Sequence, residues 1–307
     1  MTLIYRFMFL DHDFIYLLPL IFIKDFKMTL SIFILIMIAA IIHAGWNSLI
    51  KGSDDKFMST ATLSLMTAGI MLLLLPFVTF PNHAALPYFI MSVLLQTIYY
   101  ILLAQTYKIT DIGLSYPIMR GTAPLLVALL SRLIWGEIIP PLSWLGILLI
   151  VGGILWLGYS SFKTATITGV FMSLANASVI AIYTINDALG VRASEDAISY
   201  SIWLFFISTL MIALWAFKYR HQRFIPYISK HWKSGVIAAV GSSLSYGIIL
   251  WTMQHAPIYL VSALRETSIF FVIMIAIFIL KEPTNGIRIT SAFLIVSGAI
   301  ILRLASA

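Results

Sequence analysis

The sequence predicts an all-α polytopic membrane protein whose ten transmembrane helices form two inverted five-helix repeats. Three observations predict it. Of 307 residues, 61% are hydrophobic and 10% charged, with mean hydropathy +1.00, whereas soluble domains carry about 25% charged residues. Apolar runs near the ~20 residues needed to cross a hydrocarbon core recur along the whole chain, joined by connections too short for a soluble domain. Residues 112–157 and 257–302 are gapless copies, and one constant offset pairs Arg120 with Arg265, Thr122 with Thr267, Val127 with Val272, Ile134 with Ile279, Glu137 with Glu282 and Gly153 with Gly298.

The runs place helices near 29–50, 57–79, 86–107, 114–135, 142–160, 166–185, 197–217, 234–253, 258–280 and 287–304. Five per half is an odd number, so the sixth helix crosses opposite to the first and the halves are inverted. The repeats are expected at 29–160 and 166–304. Residues 1–28 stand apart as an N-terminal extension: Phe7–Leu10 and Phe14–Ile23 are both too short to span, and no small-residue cleavage site precedes Lys24. A start site placed too far upstream of Met28 is the favoured reading and an interfacial segment the competing one.

The first helix carries His43, Asn47 and Lys51 every four residues, hence on one face, a polar stripe that reads as a cavity wall with Trp46 beside it. In the fourth, Pro117 and Pro124 bracket Gly121, so a local kink beside Arg120 is expected. Gly146, Gly152 and Gly153 in the fifth, and Ser291, Ser297 and Gly298 in the tenth, suit close helix contact. The sixth offers Asn176 and Tyr183 on one face, with Asp187 read at its edge or in the following loop. Lys218, Arg220, Arg223, Lys230 and Lys233 mark the connection between the seventh and eighth as a topology signal. Tyr99, Tyr100 and Tyr246 lie deep enough for a cavity, whereas Tyr116 and Trp251 suit the interfacial belt.

The net charge of +7 belongs largely to that basic connection and does not point to nucleic acid. The chain has no cysteine, which excludes disulfides, iron–sulfur clusters and thiolate metal sites; no cofactor or metal is expected. No phosphate-binding glycine loop, His-Glu-x-x-His or Gly-x-Ser-x-Gly occurs, so the chain does not read as an enzyme. A membrane-embedded enzyme and a non-transporting receptor or scaffold remain the alternative classes.

Arg120 and Arg265 carry the chemistry. A buried arginine costs ~2.5–3.5 kcal/mol at a helix centre even on insertion scales, so it faces a polar cavity or a partner. At ~1.5 Å per residue each guanidinium enters from its own surface, and across a core of about 30 Å the two are expected to flank the midplane roughly 10 Å apart in depth. One reading is recognition of an anionic group by the guanidinium fork; the other is an internal ion pair that holds the halves together. Glu266 adjoins Arg265 at about 100° round the helix, so the two are not expected to pair. Its mirror position is Gly121, and a carboxylate in one half alone is a candidate for a proton, a cationic group or a salt bridge. Glu137 and Glu282, each before a proline-containing turn, read as loop caps.

Taken in order, His43-Ala-Gly-Trp46-Asn47 with Lys51, Tyr116-Pro-Ile-Met-Arg120-Gly-Thr-Ala-Pro124 with Gly136-Glu137, Tyr183-Thr-Ile-Asn-Asp187 through Arg192, and Leu264-Arg265-Glu266-Thr267 with Glu282-Pro283 resemble the drug/metabolite transporter superfamily, and specifically its ten-helix EamA type, over residues 29–304. The resemblance implies a secondary transporter that exports or exchanges a small organic metabolite by alternating access through a central cavity. Carried onto this chain, the cavity positions are Trp46, Asn47, Tyr100, Arg120, Tyr183, Tyr246, Arg265 and Glu266, with His43 added from its own stripe. The arginines point to an anionic or zwitterionic substrate, and Glu266 or His43 to protons as a coupling ion. A multi-pass protein of the plasma membrane, the bacterial inner membrane, is expected. The resemblance puts the termini in the cytoplasm while the positive-inside count puts them outside; both readings stand.

Overall fold

A computed structural model describes residues 28–306, and both readings of the N-terminal extension concern residues outside that range. The described residues hold helices and no strand. They are α1 (Leu30–Lys51), α2 (Lys56–Leu74), α3 (Leu86–Ile109), α4 (Ile112–Trp135), α5 (Pro141–Leu157), α6 (Ile167–Ser194), α7 (Ala197–Arg220), α8 (Gln222–His255), α9 (Ile258–Ile279) and α10 (Gly286–Ala305). Nine are long and apolar enough to cross a membrane; α5, with 17 residues, is shorter.

Short polar residues set where these helices start. The side chains of Thr29, Asp55, Asp111, Thr166, Asp196 and Asn285 accept bonds from backbone N–H groups in the first turns of α1, α2, α4, α6, α7 and α10, each cap contributing about 1 kcal/mol. Gly136 ends α4 at φ 66, a left-handed conformation that glycine adopts without steric cost. Outward-facing side chains are apolar and uncovered, as in Phe77, Leu133 and Ile167 at 83%, 77% and 91% exposure. Such a surface is stable facing lipid tails, and the chain is an integral multi-pass membrane protein.

Two expectations about helix ends are corrected. The sixth helix was expected to stop near 185, yet α6 continues to Ser194, because Asn186 and Asp187 find partners on neighbouring helices rather than in a turn. Nor is there a loop at 218–233. Helix continues from Ala197 to His255 except at Arg220 (φ −140, ψ 24), so the basic cluster rides on a kinked helical connection, from which long cationic side chains can reach water.

Packing repeats with the sequence. α3 and α4 lie on α6, while α1 lies on α7–α8 and on α9; exchanging the halves turns the first set into the second. The axis is visible between α5 and α10. A Cβ on Gly298 would come 2.6 Å from the carbonyl oxygen of Gly146, and one on Gly153 would come 3.0 Å from that of Ser291. Gly146 and Ser291 are repeat equivalents, as are Gly153 and Gly298, so the two contacts are one contact made twice. The backbones touch antiparallel, which a two-fold axis in the membrane plane requires. At the Arg120 level α4 runs unbroken past Pro117 and Pro124. Its proline-free counterpart α9 is the one that breaks, between Arg265 and Ser268.

Gly298→Leu should therefore force α5 and α10 apart and lower stability by about 1–3 kcal/mol, read by thermal unfolding of the purified protein in detergent. Gly152→Ala, whose added Cβ meets nothing within 4 Å, should not destabilise the protein.

Candidate functional site

The break in α9 shapes the site. Bonds from Glu266 N to Ala263 O (3.1 Å) and from Thr267 N to Leu264 O (3.0 Å) span three residues and tighten the turn, so Glu266 leaves the regular helical position. Contrary to the sequence expectation, it pairs with its neighbour: Arg265 Nε lies 3.5 Å from Glu266 Oε1. The other oxygen meets the opposite repeat, with Arg120 Nε 2.9 Å from Oε2. The guanidiniums therefore converge on one carboxylate rather than flanking the midplane at a distance.

Glu266 is fully buried and Arg265 nearly so, while 12% of the Arg120 side chain is uncovered. The approach of Arg120 to Glu266 is an ion pair whose angle falls outside hydrogen-bond geometry, and Arg120 Nη2 is buried with no hydrogen-bond partner among the described residues.

A second carboxylate stands beside this cluster. Asp187, absent from the residues singled out as site candidates, is fully buried in α6. It accepts bonds from the hydroxyl of Tyr246 (2.6 Å), the amide of Gln96 (3.2 Å) and, most closely, the hydroxyl of Ser92. Asn186 donates to Ser92 Oγ and to Tyr88 O, each at 2.7 Å. Arg265 acts on Asp187 electrostatically. A signal for Asp187 was present in the sequence: it stands four residues after Tyr183 and eleven after Asn176, spacings that keep all three on one face of a continuing helix.

The remaining candidates are only partly gathered. Tyr183 meets Tyr99 edge-on at 5.7 Å, and Tyr99 meets Tyr100 at 5.0 Å. These half-buried rings form an aromatic wall near Arg120 and Arg265, both of which act on Tyr183. His43 lies within electrostatic range of the same two guanidiniums and stands edge-on to Trp46 at 5.0 Å. Trp46 packs over Gly241 of α8, its indole N–H buried without a hydrogen-bond partner among the described residues. The Asn47 amide turns back to His43 O at 2.9 Å and so serves its own helix. Tyr246 is half-buried and committed to Asp187. Tyr116, expected in the interfacial belt, packs instead against the core.

One end of the bundle is tied shut. Where α6 and α8 end, Arg192 donates to Met253 O and Ala256 O, both at 2.9 Å, Gln254 donates to Val191 O at 3.2 Å, and Asn82 reaches Ala193 O at 3.1 Å. This is the face at which α1 begins. Beneath it Ile258–Arg265 is wholly buried. Glu137, in the α4–α5 connection on that face, has its carboxyl held above the usual carboxylate range by burial, against the pull of Arg192 and of the nearby Ser131 hydroxyl.

The comparisons agree with this architecture. The sequence pattern of the EamA-like transporter family matches residues 30–159 and again 167–304. The chain belongs to the EamA-like transporter family. It is a membrane transporter for a small molecule, built from two EamA repeats. A search of curated proteins gives no match. Among solved structures, one described only as a crystal structure of a protein aligns with TM-score 0.70 at 16% identity, covering 89% of this chain and 96% of its own; at that identity it shows the shared fold. The Arg120–Glu266–Arg265 contact thus joins the two EamA repeats.

Glu266→Gln should lower stability by about 3–5 kcal/mol, the cost of leaving buried charges uncompensated, measured by thermal unfolding in detergent. At Glu137 the raised folded-state pKa makes protonation more favourable in the folded protein. Stability should fall as pH rises through the interval between the unfolded and folded values, and Glu137→Gln should remove that component from the pH profile of unfolding.

Proposed function

We propose that this EamA protein is a secondary carrier of a small organic anion or zwitterion, working by alternating access as an exporter or exchanger in the plasma membrane, the bacterial inner membrane. The observation that carries the reading is the sharing of Glu266 by Arg120 and Arg265, one arginine from each repeat. A substrate carboxylate can replace Glu266 on either guanidinium and join or release the halves. The Arg120 Nη2 donor is already desolvated and unpartnered within the described protein, a group that an incoming acceptor satisfies at little further cost. His43, Trp46 and the ring wall of Tyr99, Tyr100 and Tyr183 supply the apolar and aromatic remainder, with Tyr246 behind them. The tied face above Arg265 supports a state closed on the side where α1 begins.

The test is a panel of metabolites screened by thermal shift on the purified protein, since a ligand at 100 times its Kd stabilises by about 2.7 kcal/mol. Carboxylate-bearing compounds should raise the unfolding temperature, and flux of the same compound, chemically unchanged, should follow in proteoliposomes. Arg120→Ala and Arg265→Ala should each weaken binding by about 2–5 kcal/mol, as expected when one partner of a buried charge pair is truncated. Unchanged affinity with only a loss of yield would show that the arginines merely hold the halves together.

A further inference from the structure

Within the described interior, Arg120 and Arg265 supply two positive charges and Glu266 and Asp187 two negative ones. With all four ionised and His43 counted as neutral, the cluster is balanced. Adding an anion unbalances it, and an uncompensated charge in a dry interior costs several kcal/mol. A proton taken up with the anion restores neutrality, and the partners of the two carboxylates differ in their ability to host it. Glu266 is met by guanidiniums, which only donate and have no lone pair to offer a new O–H. Asp187 is met by the hydroxyls of Ser92 and Tyr246 and the amide of Gln96. A hydroxyl can turn from donor to acceptor without moving its oxygen.

We propose that Asp187 is the proton-binding group of the transport cycle, taking up one proton with each anionic substrate and none with a zwitterion. The inference rests on the anion reading above and assigns its coupling to a residue other than Glu266 or His43. The proton comes from water on the open side, forms an O–H on an Asp187 oxygen as the Tyr246 or Ser92 hydroxyl turns, and leaves with the anion on the other side. The groups that face Asp187 are Ser92 and Gln96 from α3, Tyr200 from α7, Tyr246 from α8, Arg265 from α9 and Tyr183 on α6 itself. Among these described neighbours Asp187 is the only carboxylate, and beyond Arg265 lie Glu266 and Arg120. Tyr183 and Tyr246 connect it to the aromatic wall and so to the substrate space.

The experiment uses the full chain in detergent with benzoate as the carboxylate probe, read by infrared difference spectroscopy and by binding affinity across pH. Benzoate should produce the C=O band of a protonated carboxyl group, shifted by an isotope label on the aspartate carboxyls but not by one on the glutamate carboxyls, and lost in Asp187→Asn. Wild-type affinity should weaken about tenfold per pH unit on the alkaline side, and Asp187→Asn should flatten that slope. Should Asp187→Asn fail to fold, wild-type protein with isotope-labelled aspartate carboxyls should show the benzoate-induced band shifted by the label. Binding without a protonated-carboxyl band, a band that persists in Asp187→Asn, or a band insensitive to the aspartate label overturns the proposal while leaving the carrier reading intact. Absence of benzoate binding at every pH counts against the anion reading and overturns the coupling with it.

Discussion

Two arginines and one glutamate share a place where no isolated charge is stable, and the rest of the architecture follows from that constraint. Guanidiniums in the middle of a bilayer need a counter-charge and walls of protein. Glu266 supplies the first, reaching Arg120 at 2.9 Å and Arg265 at 3.5 Å. The helices that surround it supply the second, with the start of α9 wholly enclosed. Because the arginines come from different repeats, the same carboxylate is an electrostatic joint between halves. Membership of the EamA-like transporter family gives that joint its setting, a membrane protein whose task is to move a small molecule.

Much of this was legible beforehand. The gapless copy at a constant offset exposed the repeat, and five helices per half forced the inversion, which the paired contacts Gly146–Gly298 and Gly153–Ser291 display in backbone geometry. Arg120, Arg265 and Glu266 stood out because charged residues in apolar sequence are rare and expensive. Their mutual contact was not legible. It depends on a turn at Glu266–Thr267 made by bonds over three residues, and neither proline nor glycine marks that place.

The two misread helix ends have one cause: polarity was taken for exposure. Asn186-Asp187 looked like a helix end, and Lys218–Lys233 like a loop. Both segments are helical, the first because Ser92, Gln96 and Tyr246 satisfy Asp187 inside the bundle, the second because only Arg220 leaves helical geometry. Whether a polar side chain is stabilised by water or by another helix depends on contacts from distant parts of the chain. A helix period that runs on without a breaker was the local hint for Asp187, and the polar pair outweighed it.

The axis between α5 and α10 has a consequence for the energy of the whole molecule. In a chain made of two identical repeats, tipping toward one face of the membrane would be the mirror image of tipping toward the other, and the two arrangements would be equally populated. Here Ser291 stands where its counterpart is Gly146, and Glu266 where its counterpart is Gly121. The degeneracy is lifted at the α5–α10 contact and at the charge joint alike, so under the alternating-access reading proposed above the empty protein favours one side.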